Sequence, residues 1–169
     1  MDISKITNPE VKAFLAQFAR DRGVNTEYYK RVPEDKLDFR MVDTPERKSD
    51  SPRESMIHQI ATTRKYIDGA KSGVLRFDIQ YNDLVESQKL TKEDLLQLLQ
   101  KTEEDLVEVL ADPEIGNKKA RVPWSDSPIP AVAALWGLDS HEILHQGWNL
   151  ALMDHLNIER FPALKEIWG

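Results

Sequence analysis

At 169 residues, 40% hydrophobic and 31% charged, the chain has the size and balance expected of one soluble globular domain spanning 1–169 with a core of its own. Its 29 acidic residues outnumber 23 basic ones for a net charge of −6, which argues against a nucleic-acid partner, because phosphate binding draws on an excess of Lys and Arg. Cysteine is absent, so disulfides, thiolate metal sites and a cysteine nucleophile are excluded, and any thiol chemistry needs a thiol from outside the chain. The start, Met1-Asp2-Ile3-Ser4-Lys5, lacks a basic and then apolar leader, and no run of about 18 apolar residues occurs; the expectation is a cytoplasmic protein with no membrane partner.

Asn8-Pro9-Glu10 predicts an N-cap with proline in the first helical position, opening a helix with Val11, Phe14, Leu15 and Phe18 on one face. Gly23 is expected to end it, with a second short helical piece over Thr26 to Arg31. Residues 32–50, with Pro33 and Pro45 among charges, predict a loop. Ser51-Pro52-Arg53-Glu54 combines a capping box with an N-terminal proline, and the helix it opens runs through Met56, Ile60 and Ile67 to about Gly73. Leu75, Phe77, Ile79 and Tyr81 alternate with polar residues; a lone strand makes no sheet, so the reading is a short extended connection. Thr91 to Asp94 caps a third long helix carrying Leu95, Leu98, Leu99, Leu106, Val109 and Leu110. Residues 112–130 contain four prolines and Gly116, predicting a second long loop without regular structure, with Trp124 as either a lid residue or an anchor. The last long helix runs from Ala131 to about Asn157, with a bend expected at Gly137. Four long helical segments and almost no strand signal predict an all-α four-helix bundle.

Four histidines are present. His141 and His145 lie one helical turn apart and point the same way, so both can reach one metal ion. At 100° per residue they share a stripe with Ala134, Leu138, Trp148 and Leu152, where a polar group must find a partner. The other reading of the pair is two core histidines satisfied by hydrogen bonds. His58 is the histidine placed well inside another long helix and is the candidate third ligand; His155, about 15 Å beyond His145 along the helix axis, is too far to share the ion and reads as a surface or helix-end residue. His141-Glu142-Ile143-Leu144-His145 also matches H-E-x-x-H, the zincin metalloprotease pattern, in which Glu142 would be the general base and Glu159 or Glu166 a third ligand. No sheet edge for an extended substrate is visible in the sequence.

Val32-Pro33-Glu34-Asp35-Lys36-Leu37-Asp38-Phe39-Arg40, then Ser55-Met56-Ile57-His58-Gln59-Ile60, then Ser140-His141-Glu142-Ile143-Leu144-His145-Gln146-Gly147, with Leu156-Asn157-Ile158 and Phe161-Pro162 after it, resemble the DinB/YfiT-like family of metalloenzymes over most of the chain. The resemblance implies a four-helix bundle with long crossover loops, a nickel or zinc ion at one end on His58, His141 and His145, and a homodimer. It also implies an activity of the kind seen in thiol-dependent S-transferases or a mycothiol-dependent isomerase, although many members have no known activity. Many members follow the second metal histidine with Arg-Gly-Gln; here Gln146-Gly147-Trp148 stand instead, which removes a fixed cation that would favour an anionic thiol. Trp148 is either a core tryptophan or a platform for a cofactor.

Three functions remain open at this point. One is a transferase holding a low-molecular-weight thiol on the metal and acting on a small-molecule substrate, with Glu142 orienting a histidine or shuttling a proton. The second is a metal-dependent hydrolase. The third is a non-catalytic, metal-stabilised binding module.

Overall fold

The computed structural model describes residues 2–85 and 90–168. Helix α1 spans Pro9–Arg31, with the Asn8 side chain accepting from the amides of Glu10 and Val11 at 3.0 and 3.1 Å. It runs straight through Gly23. One glycine costs a helix about 1 kcal/mol, and buried Val24, Asn25, Tyr28 and Tyr29 just beyond it offset that cost. The stop is Pro33, which forces Val32 into extended backbone. The short helical piece expected over Thr26 to Arg31 is therefore the last two turns of α1.

The following loop holds a 3-10 turn at Glu34–Lys36 and is pinned by Arg53, which donates to Asp38 at 2.8 Å. Helix α2, Pro52–Ser72, begins at the Ser51/Glu54 capping box and ends at Gly73 in left-handed backbone, φ 75°. The alternating segment after it forms one isolated bridge, Val74 to Arg121, and buries Leu75. Helix α3 is a single turn, Asn82–Val85, and α4, Lys92–Leu110, starts at a Thr91/Asp94 capping box. The proline-rich loop carries more order than its composition suggests. It has a 3-10 turn at Pro113–Asn117 and a two-residue antiparallel ladder, β1 (Lys119–Ala120) with β2 (Ile129–Pro130). Helix α5 spans Ala131–Leu156, capped by Asn157 in left-handed backbone, and α6, Pro162–Trp168, was not anticipated from sequence.

Helix α1 packs on α5, α5 on α2, α2 on α4 and α4 on α1. Two apolar clusters give the helix directions. One gathers the start of α1, the end of α2, the end of α4 and the start of α5; the other gathers the opposite ends. The order is therefore up-down-down-up, an all-α bundle in which the 32–51 and 111–130 connections cross diagonally and the 73–91 connection returns the length of the bundle. Between the two clusters lies a buried polar belt: Arg22 and Asn25 from α1, Ser55, Gln59 and Thr63 from α2, and Glu142, His145 and Asn149 from α5.

Candidate metal centre

The α2–α5 seam brings His58, His141 and His145 together, with one ring nitrogen of each within 4.8 Å of the others. Ring centroids are 4.9 Å apart for His58 and His141, 5.5 Å for His58 and His145, and 4.5 Å for the α5 pair. The cluster falls about midway along α5 rather than at a bundle end. Nε2 of His145 is 3.3 Å from Nε2 of His141. Two nitrogens each about 2.05 Å from a tetrahedral ion stand about 3.3 Å apart, so the spacing fits a shared metal. His58 is exposed and His141 partly so, while His145 is buried. The cluster thus opens to solvent on the His58 side.

Each ring has a different backing. His145 Nδ1 lies 2.8 Å from Ser55 Oγ, which in turn accepts from Tyr29 Oη at 3.0 Å. Burial, together with His141 and His58, pushes the His145 pKa down to about 3, so the ring is neutral and a lone pair is available near pH 7. Burial and then His141 lower His58 as well. His141 Nδ1 is buried with no hydrogen-bond partner and sits 3.9 Å from Glu142 Oε1.

Glu142 is wholly buried behind the histidines. Arg22 donates to both its carboxylate oxygens, at 2.8 and 2.7 Å, Asn25 donates at 3.0 Å and Gln59 at 2.8 Å. Burial alone would raise its pKa, but Arg22, with His141 and Asn25 behind it, holds it down at about 2. The carboxylate faces the bundle interior. Glu159 and Glu166 are exposed and lie outside the histidine group, and His155 is exposed beside Phe39. Trp148 is half-buried at the edge of the second apolar cluster, with a buried Nε1 that lacks a partner, and is not part of the histidine group. Gln146 turns away from the cleft: it donates to the Asp21 carbonyl at 3.0 Å and accepts from Trp168 Nε1 at 2.8 Å.

Sequence reasoning missed Arg22, Asn25, Tyr29, Ser55 and Gln59. A signal existed: Phe18, Arg22, Asn25 and Tyr29 recur at 4, 3 and 4 residues, which puts an arginine and an asparagine on the buried face of α1.

This arrangement of helices is found among solved structures. A crystal structure of a DinB-like protein, YjoA from Bacillus subtilis, matches with a TM-score of 0.65 and 19% identity, covering 89% of this chain and 96% of that one. The chain has the DinB-like fold. No protein-family model and no curated protein matches the sequence. Among the described residues, no helix of this DinB-like bundle is long and apolar enough to cross a membrane.

Proposed function

We propose that His58, His141 and His145 hold one divalent transition metal, nickel or zinc, and that the chain, 1–169 as one functional unit, is a cytoplasmic metal-dependent transferase for a low-molecular-weight thiol and a small-molecule electrophile. The observation that carries the reading is the 3.3 Å Nε2–Nε2 separation in a three-histidine cluster open on one side. Three imidazole nitrogen donors and no thiolate suit nickel or zinc. Such an ion supplies Lewis acidity that lets a thiol lose its proton near neutral pH.

The chain's own residues do the rest. His141 and His145 present their nitrogens from a rigid helix, and His58 closes the third side at the solvent edge. Glu142 supports a thiol rather than a water nucleophile. A hydrolytic base must reach the water at the open position, whereas this carboxylate is engaged by Arg22, Asn25 and Gln59 behind the ligands. Its role is to attract the Nδ1 edge of His141, 3.9 Å away, which turns Nε2 toward the ion. The aromatic shelf formed by Phe77 and Trp124, ring centroids 6.2 Å apart, offers an apolar wall for the electrophile. Trp124 reaches to 3.8 Å of where a Gly137 side chain would begin, one turn before His141. Trp148, packed against the second apolar cluster, is the candidate cofactor contact.

The test has two stages. Elemental analysis of the purified protein should find about one nickel or zinc per chain, and His141→Ala should lose nearly all of it; full metal content in that variant would refute the site. The loaded protein should then conjugate bacillithiol, mycothiol or glutathione to an electrophile such as a chloronitrobenzene. Ester or amide cleavage without any thiol turnover would refute the transferase reading in favour of hydrolysis, and neither activity would favour a metal-stabilised binding module.

A further inference from the structure

We propose that Ser55, held by Tyr29, is a positioning residue for the metal centre: it accepts a hydrogen bond from Nδ1–H of His145 and so leaves Nε2 free for the ion. The inference rests on the metal-site reading above. Ser55 is 1% exposed and Tyr29 is fully buried, so neither hydroxyl has water to turn to. The Tyr29 Oη proton goes to Ser55 Oγ at 3.0 Å. A serine oxygen has two lone pairs and one proton. One lone pair is occupied by Tyr29, and Nδ1 of His145 stands 2.8 Å away.

Two proton patterns satisfy that contact. In the first, Ser55 donates to a bare Nδ1; His145 then carries its proton on Nε2, which points at Nε2 of His141 across 3.3 Å. In the second, Nδ1–H donates to the remaining lone pair of Ser55, and Nε2 is bare. Only the second lets a neutral imidazole bind a metal through Nε2. With one lone pair taken by Tyr29, Ser55 keeps one lone pair for Nδ1–H, and binding of an ion at Nε2 selects this second pattern. Asn149 donates to Asn25 at 2.9 Å, and Asn25 to Glu142 at 3.0 Å, a separate buried chain that stops 3.9 Å short of His141 Nδ1. Among the described residues His58 makes no hydrogen bond and His141 Nδ1 has no partner, so His145 is the ring held from behind.

The probes are Zn2+ alone, by competition with a chromophoric chelator, and 15N imidazole NMR of the zinc-loaded protein. Losing a partner behind a metal histidine weakens binding by about 10–100-fold. Ser55→Ala is expected to raise the zinc Kd by that factor. Tyr29→Phe, which keeps the ring, is expected to raise it about 3–10-fold by the same logic. In the wild type, His145 Nδ1 should be the protonated nitrogen. Wild-type zinc affinity in Ser55→Ala, or an unprotonated Nδ1 in the loaded wild type, would overturn the inference while leaving the metal site standing. If Ser55→Ala does not fold, Tyr29→Phe decides: unchanged affinity overturns the proposal. A wild type that takes up no zinc overturns the metal site itself, and this inference with it.

Discussion

Removing Arg22 tests how the belt behind the histidines is held. The guanidinium makes two bonds to Glu142, at 2.8 and 2.7 Å, and one to Thr63 at 2.7 Å, and both charged side chains are fully shielded from water. Arg22→Met keeps the length and apolar contact but leaves a carboxylate buried with only the Asn25 and Gln59 amides. Breaking one side of a buried pair costs about 3–5 kcal/mol, because the remaining charge is desolvated without compensation. That is a large share of an ordinary domain's stability of about 5–15 kcal/mol. The double variant Arg22→Met with Glu142→Gln carries no charge in the belt and should recover to within about 1–2 kcal/mol of wild type, since replacing a whole buried pair is often close to neutral. Urea unfolding of the metal-free protein, with the m value checked for constancy, measures both. A single variant within about 1 kcal/mol of wild type, or a double variant as unstable as the two singles added, would refute the pairing argument. The pH profile supplies a sign check. The Glu142 pKa near 2 lies below its ordinary 4.5, so this stabilisation is full above about pH 4.5 and is lost as pH falls through 2. In Arg22→Met that acid loss should disappear.

Trp124→Ala should cost no more than about 2.5 kcal/mol. The residue is 54% exposed, so less than half of a tryptophan's surface is buried, roughly 100 Å² at about 25 cal/mol/Å²; a thermal or urea loss of twice that would make Trp124 a structural anchor and not part of a substrate wall. Gly137→Ala should destabilise by about 1–3 kcal/mol, although alanine is the better helix former, because its Cβ would sit 2.5 Å from Tyr66 Oη; a rise in melting temperature would show that Tyr66 moves freely. His155→Ala should leave metal content unchanged, as measured by elemental analysis. Leu144 is 73% exposed and Trp136 and Ile143 are also exposed along α5, so if the expected homodimer forms through this face, Leu144→Glu should shift it to monomer in sedimentation velocity; an unaffected dimer would put the interface elsewhere.

The long helices were legible wherever a chemical signal ended them. Asn8-Pro9, the two capping boxes and Gly73 all stand where local sequence put them, because each acts within a single turn. Gly23 misled for the converse reason: a glycine weakens a helix everywhere but breaks one only where nothing downstream is buried, and Tyr28 and Tyr29 are. The same locality limits the site. The turn between His141 and His145 can be counted along one helix, but that Glu142 lies behind them and not in the open cleft depends on Arg22, 120 residues away. Helix α5 is apolar on nearly every side, so its period alone does not say which flank meets α1. The missing information was in α1, where a cationic side chain sits among Phe18, Asn25 and Tyr29 on a buried face. A charge there requires an opposite charge on a facing helix, and Glu142 and Asp139 are the acidic residues in the buried part of α5. Asp139 is near the Asp21 carboxylate, which raises it after burial does, and one of its oxygens has no partner. Glu142 is thus the residue that can satisfy Arg22, and pairing the two directs the carboxylate inward and turns the histidine edges of α5 toward α2 and solvent.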